Sequence, residues 1–220
     1  DGVCDNITIT NCGLHSRDSA LKIGTETHGT IRNVTLSDCI IDRCSRAVGI
    51  WVRDGGTVED IHIHHLTGST LRYADRYAEP GAPGWWGKGE PIFISATPRK
   101  NSRTKTGTIR NVTFDNLSIT CESCAFLAGE PESCLRDIRI RDLHMTFKRQ
   151  GTQPGGLFDE QPSVRHVYSH AIPALYARNV KQLTVQDSTV RYADKSEAWA
   201  SEVTTLEDCT ESAVDLKKIQ

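Results

Sequence analysis

Two carboxylates in this sequence stand where an apolar β-type run begins. Asp18 lies two residues before the run 20–23, and Glu90 lies directly before the run 91–94. A pair of carboxyl groups at the edge of a cleft can perform general acid and base catalysis, one giving a proton and the other activating water. Asp18 and Glu90 are therefore the candidate catalytic residues. For Asp18 a turn-forming role is an equally good interpretation, because short acidic side chains bond to neighbouring backbone.

A row of cationic and aromatic side chains accompanies these carboxylates. Strand alternation that buries the apolar neighbours of Lys22, Trp51 and Arg53 turns these three side chains outward. Together with Phe93 they would stand side by side on stacked strands, ~4.8 Å apart. Cations pair with carboxylates and aromatic rings stack on flat apolar faces, so this row is predicted to bind an acidic sugar. The alternative is an ordinary solvated sheet face.

The segment before Glu90 adds further candidate binding residues. Trp85 and Trp86 stand between glycines and are followed by Lys88, which predicts a loop that stacks on sugar and offers a charged contact. The alternative is that the two tryptophans only cover the end of a sheet. His28 lies in a Gly-rich corner, where it would bind substrate, act as a base, or simply be exposed.

The residues with metal-ligand chemistry have structural interpretations. His62 and His64 hold strand positions that other repeats fill with Thr or Arg, so with His65 they are interpreted as outward polar decoration. The segment 121–124 is a single CxxC motif without a second pair, which is a weak signal for zinc. No metal and no organic cofactor are therefore expected.

The elements that must position these residues form one repeat. Its apolar residues alternate with polar ones, so each copy is predicted to be a strand with one buried face. Asn or Asp at the ends of the copies predicts tight turns. Cys12 and Cys39 hold the same position in the first two copies, which predicts stacked buried thiols. The six copies lie at 6–11, 33–38, 60–65, 111–116, 137–142 and 182–187.

A second apolar run follows each copy of the repeat. The longer intervals between copies therefore hold inserted loops, at about 67–90 and 148–170, and not additional repeats. Two or more strands per turn of ~25 residues, without helical periodicity, predict an all-β right-handed parallel β-helix of about six coils. An antiparallel sandwich would not explain a pattern that recurs at this spacing. The second runs are 20–23, 48–52, 91–94, 125–128, 174–177 and 213–216.

Several longer motifs point to a known family. They include Asn-Ile-Thr-Ile-Thr-Asn-Cys at 6–12, Lys-Ile-Gly-Thr-Glu at 22–26, Gly-Thr-Ile-Arg-Asn-Val at 29–34 and Gly-Gly-Thr-Val-Glu-Asp-Ile at 55–61, and related stretches at 107–114 and 174–180. With them the chain resembles the polygalacturonase-type β-helix glycosidases, glycoside hydrolase family 28 and its relatives. The resemblance implies a pectin-lyase-like solenoid that hydrolyses O-glycosidic bonds in pectin-like or other acidic polysaccharides. It also implies a secreted or periplasmic location.

The chain departs from the family pattern at positions that carry chemistry. Asp18 and its two neighbours stand where the family has Gly-His-Gly, and 49–51 stands where it has Arg-Ile-Lys, although a shift of two puts Arg53 in the lysine's place. The family's paired aspartates would lie before residue 1, so the chain is expected to be the C-terminal part of a longer β-helix. Two alternatives follow: a non-catalytic glycan-binding or structural β-helix, and a fragment whose catalytic acids lie upstream.

Composition narrows the class of partner. A chain of 220 residues fits one domain, 1–220, and is long enough to bury a core. The net charge of −2 gives no case for nucleic acid or an anionic membrane surface, which require a basic face. The apolar stretches are also too short to span a bilayer. The expected partner is a polysaccharide or oligosaccharide substrate.

Overall fold

The computed structural model describes residues 2–73, 87–98, 105–132, 134–152, 157–159, 167–169 and 171–220. Within these ranges the chain is all-β, and it contains no helix that is long and apolar enough to cross a membrane. The strands are β1 (Val3–Thr10), β2 (Gly13–Leu14), β3 (Ser19–Ile23), β4 (Thr30–Cys44), β5 (Arg46–Trp51), β6 (Thr57–Thr70), β7 (Glu90–Ala96), β8 (Thr108–Cys121), β9 (Ala125–Gly129), β10 (Cys134–Phe147), β11 (Leu157–Asp159), β12 (Val167–Ser169), β13 (Leu175–Arg178), β14 (Lys181–Tyr192), β15 (Thr204–Glu207) and β16 (Ala213–Ile219).

Most of these strands belong to two parallel sheets. The first sheet has the order β1-β4-β6-β8-β10-β14-β16, with β2 beside β4. The second has the order β3-β5-β7-β9-β13-β15. In both sheets each strand pairs in parallel with its equivalent from the next repeat, which confirms the predicted stacking of parallel strands.

The register aligns equivalent apolar residues of successive repeats. Because side chains alternate between the two faces of a strand, such alignment places every aligned row on one face. Residues of both sheets belong to one buried hydrophobic core. The aligned row of the first sheet is Ile7, Val34, Ile61, Val112, Ile138 and Leu183. The row of the second sheet is Ile23, Ile50, Ile94, Leu127 and Ala177.

The long strands of the first sheet bend at both polar ends of each copy. The residues there have a left-handed backbone, with φ between 51° and 61°, a conformation that Asn and Asp tolerate better than most residues. Their side chains also connect repeats: Asn33 Nδ2 donates to Asp5 Oδ1 at 2.7 Å. The structural interpretation of these positions is therefore confirmed. The bend residues are Asn6, Asn33, Asp60, Asn111, Asp137 and Gln182 at one end, and Asn11, Asp38, His65, Asn116, Asp142 and Asp187 at the other.

The predicted insertions need two adjustments at their boundaries. β6 continues to Thr70, so 67–70 are part of that strand and not of the 67–90 insertion. The interval 148–170, predicted only as a loop, contains β11 and β12, which pair in the antiparallel sense.

The cysteines follow the prediction for the first two repeats. The Cys12 backbone N–H donates to the Cys39 Sγ at 3.4 Å, and Cys39 is buried. The seven cysteines whose side chains the structure describes are free thiols. The stacking of these two thiol positions is therefore confirmed.

Candidate functional site

Six side chains lie close together on and beside the strands β3, β5 and β7 of the second sheet, and five of them belong to residues that the sequence analysis singled out. We call this group the Arg46 cluster. Two of its rows come from the sheet register, which aligns Ser19 with Arg46 and Glu90, and Lys22 with Gly49 and Phe93. Its members are Asp18, Lys22, Arg46, Trp51, Glu90 and Phe93.

The Trp51 ring takes its place in the cluster because residue 49 is glycine. A Cβ on Gly49 would lie 2.3 Å from the Trp51 Cη2, so any larger residue would displace the ring. The ring therefore lies over the glycine, with its centroid 5.2 Å from that of Phe93 and 5.4 Å from the Lys22 Nζ. Lys22, Trp51 and Phe93 therefore lie together, but of these three only Lys22 faces solvent as predicted.

Arg46 is the residue that the sequence reasoning missed. It is fully buried, and its guanidinium lies 4.5 Å from the Phe93 ring centroid and 5.2 Å from that of Trp51. Its Nη1 lies 3.5 Å from Asp18 Oδ1 and its Nε lies 3.5 Å from Glu90 Oε2. The signal was its place in the 27-residue repeat, where a cation begins an otherwise apolar strand.

One guanidinium thus limits the distance between the two candidate carboxylates. With each of them 3.5 Å from an Arg46 nitrogen, the nearest oxygens of Asp18 and Glu90 are at most about 9 Å apart. Inverting glycosidases hold their two carboxyl groups ~6.5–9.5 Å apart and retaining enzymes ~5–5.5 Å. The separation is compatible with chemistry that uses both groups.

Asp18 and Lys22 form the accessible edge of the cluster. The Asp18 side chain is 30% exposed and accepts a hydrogen bond from the Lys22 Nζ at 2.7 Å. The Asp18 backbone N–H donates to Ser16 Oγ at 3.0 Å, so the residue also takes part in a turn. The hydroxyl of Ser16, and not the Asp18 carboxylate, makes the bond to the backbone here, while the carboxylate contacts Lys22 and Arg46.

Glu90 and Lys88 are buried, contrary to the prediction of a cleft edge and an exposed charged contact. Glu90 is 2% exposed, and its Oε2 accepts a hydrogen bond from the Lys88 backbone N–H at 2.7 Å. Lys88 is equally buried. Strand β7, which begins at Glu90, is buried along its whole length. The position of Glu90 at the start of an apolar run therefore did not make its side chain exposed.

Trp51 and Arg53 are also buried, contrary to the prediction of an outward solvated row. Alternation fixes the face of a sheet to which a side chain points, but not whether other groups cover that face. On this face the rings of Phe93, Phe126 and Tyr176 stack in one row at centroid distances of 5.0 and 5.3 Å, and all three are buried.

The remaining predicted binding residues lie elsewhere. His28 is exposed and lines a shallow groove with Glu26 and Gly29, beside the start of β1, and no member of the Arg46 cluster lines that groove. Trp85 and Trp86 lie outside the described residues.

Glu122 is a second residue that the sequence reasoning missed, because it sits inside the CxxC segment. Its buried carboxylate accepts backbone N–H donors from Arg72 at 2.5 Å, Gln150 at 2.7 Å and Gly151 at 2.9 Å. These donors belong to the chain where it leaves β6 and β10. Glu122 therefore fastens the starts of both insertions to the body of the fold.

The thiols of Cys121 and Cys124, which flank the segment containing Glu122, are buried in the core. Burial raises the pKa of the Cys121 and Cys124 thiols, and for Cys124 the nearby Glu90 carboxylate raises it further. The thiolate is the form that binds metals and reacts, so burial disfavours the reactive form of both cysteines.

One other group of side chains in the described ranges has ligand atoms close together. The carboxylate of Asp38 and the imidazoles of His64 and His65 have ligand atoms that all lie within 4.8 Å of one another. This group belongs to the first sheet and is separate from the Arg46 cluster.

Comparisons with family models, with curated proteins and with solved structures found no match for this chain. What the Arg46 cluster can do therefore follows from its own residues: two carboxylates joined by a buried guanidinium, with an exposed lysine and two aromatic rings beside them.

Proposed function

We propose that this chain is a right-handed parallel β-helix of the pectin-lyase-like kind that hydrolyses glycosidic bonds in pectin-like or other acidic glycans. The stacked parallel strands and the single apolar core support the β-helix part of the proposal. The sequence motifs that resemble polygalacturonase-type enzymes support the choice of substrate.

The observation that carries the proposal is the pair of carboxylates on one guanidinium. Asp18 and Glu90 come from different repeats, and their shared contact with Arg46 limits their separation to a value that does not exclude two-carboxylate hydrolysis. An inverting glycosidase needs one group that activates water and one that protonates the leaving oxygen. Asp18, which meets solvent, takes the first role in this proposal. Glu90 takes the second, for which it must be protonated and give up its ion pair with Arg46.

Cationic groups of the cluster would hold the substrate. Lys22 is 38% exposed and lies beside Asp18, so in this proposal it pairs with a uronic acid carboxylate of the substrate. Trp51 and Arg53 are buried and would support the cluster without touching a sugar. The proposal that Trp85 and Trp86 stack on sugar rings concerns residues beyond the described ranges and stays a prediction.

A second candidate function, glycan binding without hydrolysis, is favoured by one specific observation. Glu90 is buried and already has two partners, the Arg46 guanidinium and the Lys88 backbone N–H. A carboxyl group that keeps these partners does not reach a leaving oxygen. In this case Asp18 and Lys22 would form an adhesive surface.

Product release from a panel of uronic-acid oligosaccharides separates the two candidates. The panel is incubated with the native chain and with Asp18→Asn, Glu90→Gln and the control Asp42→Asn, whose side chain is exposed on the first sheet. Hydrolysis predicts release that both cluster variants lower by about 100-fold or more while the control is unaffected. A folded native chain that binds the oligosaccharides without releasing product would support glycan binding and refute hydrolysis.

A further inference from the structure

Asp38, His64 and His65 bring their ligand atoms close together on the first sheet. Asp38 lies on β4 and the two histidines lie on the neighbouring strand β6. The two Nδ1 atoms of His64 and His65 are 2.9 Å apart, and the His65 Nδ1 is 3.6 Å from Asp38 Oδ1. Three atoms with metal-ligand chemistry thus converge from two adjacent repeats.

The backbone explains how two consecutive residues point to one place. In a regular strand, successive side chains point to opposite faces, which would separate His64 from His65. His65 has a left-handed backbone, with φ of 55°, because it occupies the bend where the equivalent positions of the other repeats have Asn or Asp. The bend turns its ring to the side of His64, and the two rings meet edge to face with centroids 4.9 Å apart.

We propose that Asp38, His64 and His65 bind a divalent transition metal ion such as Zn²⁺, with both histidines coordinating through Nδ1. Two nitrogens that bind one ion at ~2.0–2.1 Å lie about 3–3.4 Å from each other, depending on the coordination geometry. The Nδ1 atoms at 2.9 Å need to separate by only a few tenths of an ångström. Two imidazoles and one carboxylate are a ligand set that suits zinc and its neighbours better than Mg²⁺ or Ca²⁺.

The surroundings favour a cation and give it access. Asp38 and His65 are both about half exposed, so an ion reaches them from solvent. His65 also lines an open polar groove with Asp115, Asp142 and Asp187, so three carboxylates lie along a groove that includes one of the ligands. Arg141 is the cation in that groove, and it is paired with Asp115. The alternative without metal is a hydrogen bond from one imidazole to the other.

The test is a titration of the full, untagged chain with Zn²⁺, followed by calorimetry. The ligand variants are His64→Ser and His65→Asn, which introduce residue types that the neighbouring repeats carry at these positions. The matched control is His62→Thr, on the same strand, whose partners in both adjacent strands are Thr35 and Thr113. The expected result is one saturable Zn²⁺ site that each ligand variant weakens by at least about 10-fold and the control leaves unchanged.

A second readout identifies the ligands directly. Cu²⁺ bound at the same site should show nitrogen hyperfine structure from two imidazoles in its electron paramagnetic resonance spectrum, and this structure should decrease in both ligand variants. Zn²⁺ binding that is the same in native protein, His64→Ser and His65→Asn would overturn the proposal, and so would the absence of any saturable site. Circular dichroism of each variant confirms that it is folded.

Discussion

Glu122 gives the most specific prediction about how the fold anchors its two insertions. Its carboxylate accepts three backbone N–H donors from Arg72, Gln150 and Gly151. Glu122→Gln keeps the shape of the side chain but replaces one acceptor oxygen with an NH₂ group, which cannot accept a hydrogen bond. The amide is expected to turn its oxygen to Gln150 and Gly151, so the Arg72 N–H loses its acceptor.

The magnitude follows from the number of bonds lost. A hydrogen bond to a charged group contributes about 1.5–3 kcal/mol, and the other two bonds become weaker when the charge is removed, so the total loss is about 3 kcal/mol. For a domain of this size, 1 kcal/mol corresponds to about 2–4 °C in Tm. Glu122→Gln should therefore lower the Tm by about 6–12 °C.

Thermal unfolding measures the global effect, and hydrogen exchange measures the local one. The backbone amides of Arg72, Gln150 and Gly151 should exchange faster in Glu122→Gln while those of the core strands keep their order of protection. Glu132→Gln is the control, since Glu132 is an exposed glutamate near the same sheet. A Tm within about 2 °C of the native value, with unchanged exchange at these three amides, would refute the reasoning.

Three further predictions test the packing and the buried groups. Arg46→Met should destabilise the fold by about 3–5 kcal/mol in denaturant unfolding, because it leaves the Glu90 carboxylate buried without the Arg46 cation. The double variant Arg46→Met with Glu90→Met should recover part of this loss. An equal loss in the single and double variants would contradict the ion-pair account. Gly49→Ala should cost about 1–3 kcal/mol, since its Cβ would overlap the Trp51 ring, and a change in Trp fluorescence should accompany the loss. Burial raises the pKa of Tyr192 to about 12, so the folded state keeps this proton while the unfolded state releases it from about pH 10. Stability should therefore fall by about 2–3 kcal/mol as pH rises from about 10 to about 12. Tyr192→Phe should remove that fall and be close to neutral at pH 7; an unchanged alkaline slope in the variant would contradict the assignment.

The strands and their stacking could be predicted from the sequence because they depend on local alternation and on the repeat. Asn33 and its equivalents were interpretable as bends, since few residue types tolerate a left-handed backbone. The burial of Trp51 could not be predicted, because it depends on what covers the outer face of the second sheet. Alternation within a strand carries no information about that cover.

The buried charges of Arg46 and Glu122 could not be predicted from the sequence for a related reason. Arg46 begins a strand and Glu122 lies between two cysteines, and neither position has a pattern that marks a buried charge. The carboxylates that pair with Arg46 and the backbone N–H groups that donate to the Glu122 carboxylate are 28 to 50 residues away in the sequence, so only the register of the repeats brings them together. The proximity of His64 and His65 was not predicted either, because it depends on the bend at His65, and a regular strand would keep the two side chains apart.

The configuration of the first product tests the proposed hydrolysis most directly. The native chain is incubated with a uronic-acid oligosaccharide, and proton NMR follows the anomeric signals from the earliest time. The proposal predicts release of a reducing sugar with inverted anomeric configuration, and loss of this product in Glu90→Gln. A retained configuration would contradict the inverting roles of Asp18 and Glu90, and no product from a folded chain would contradict the hydrolase itself.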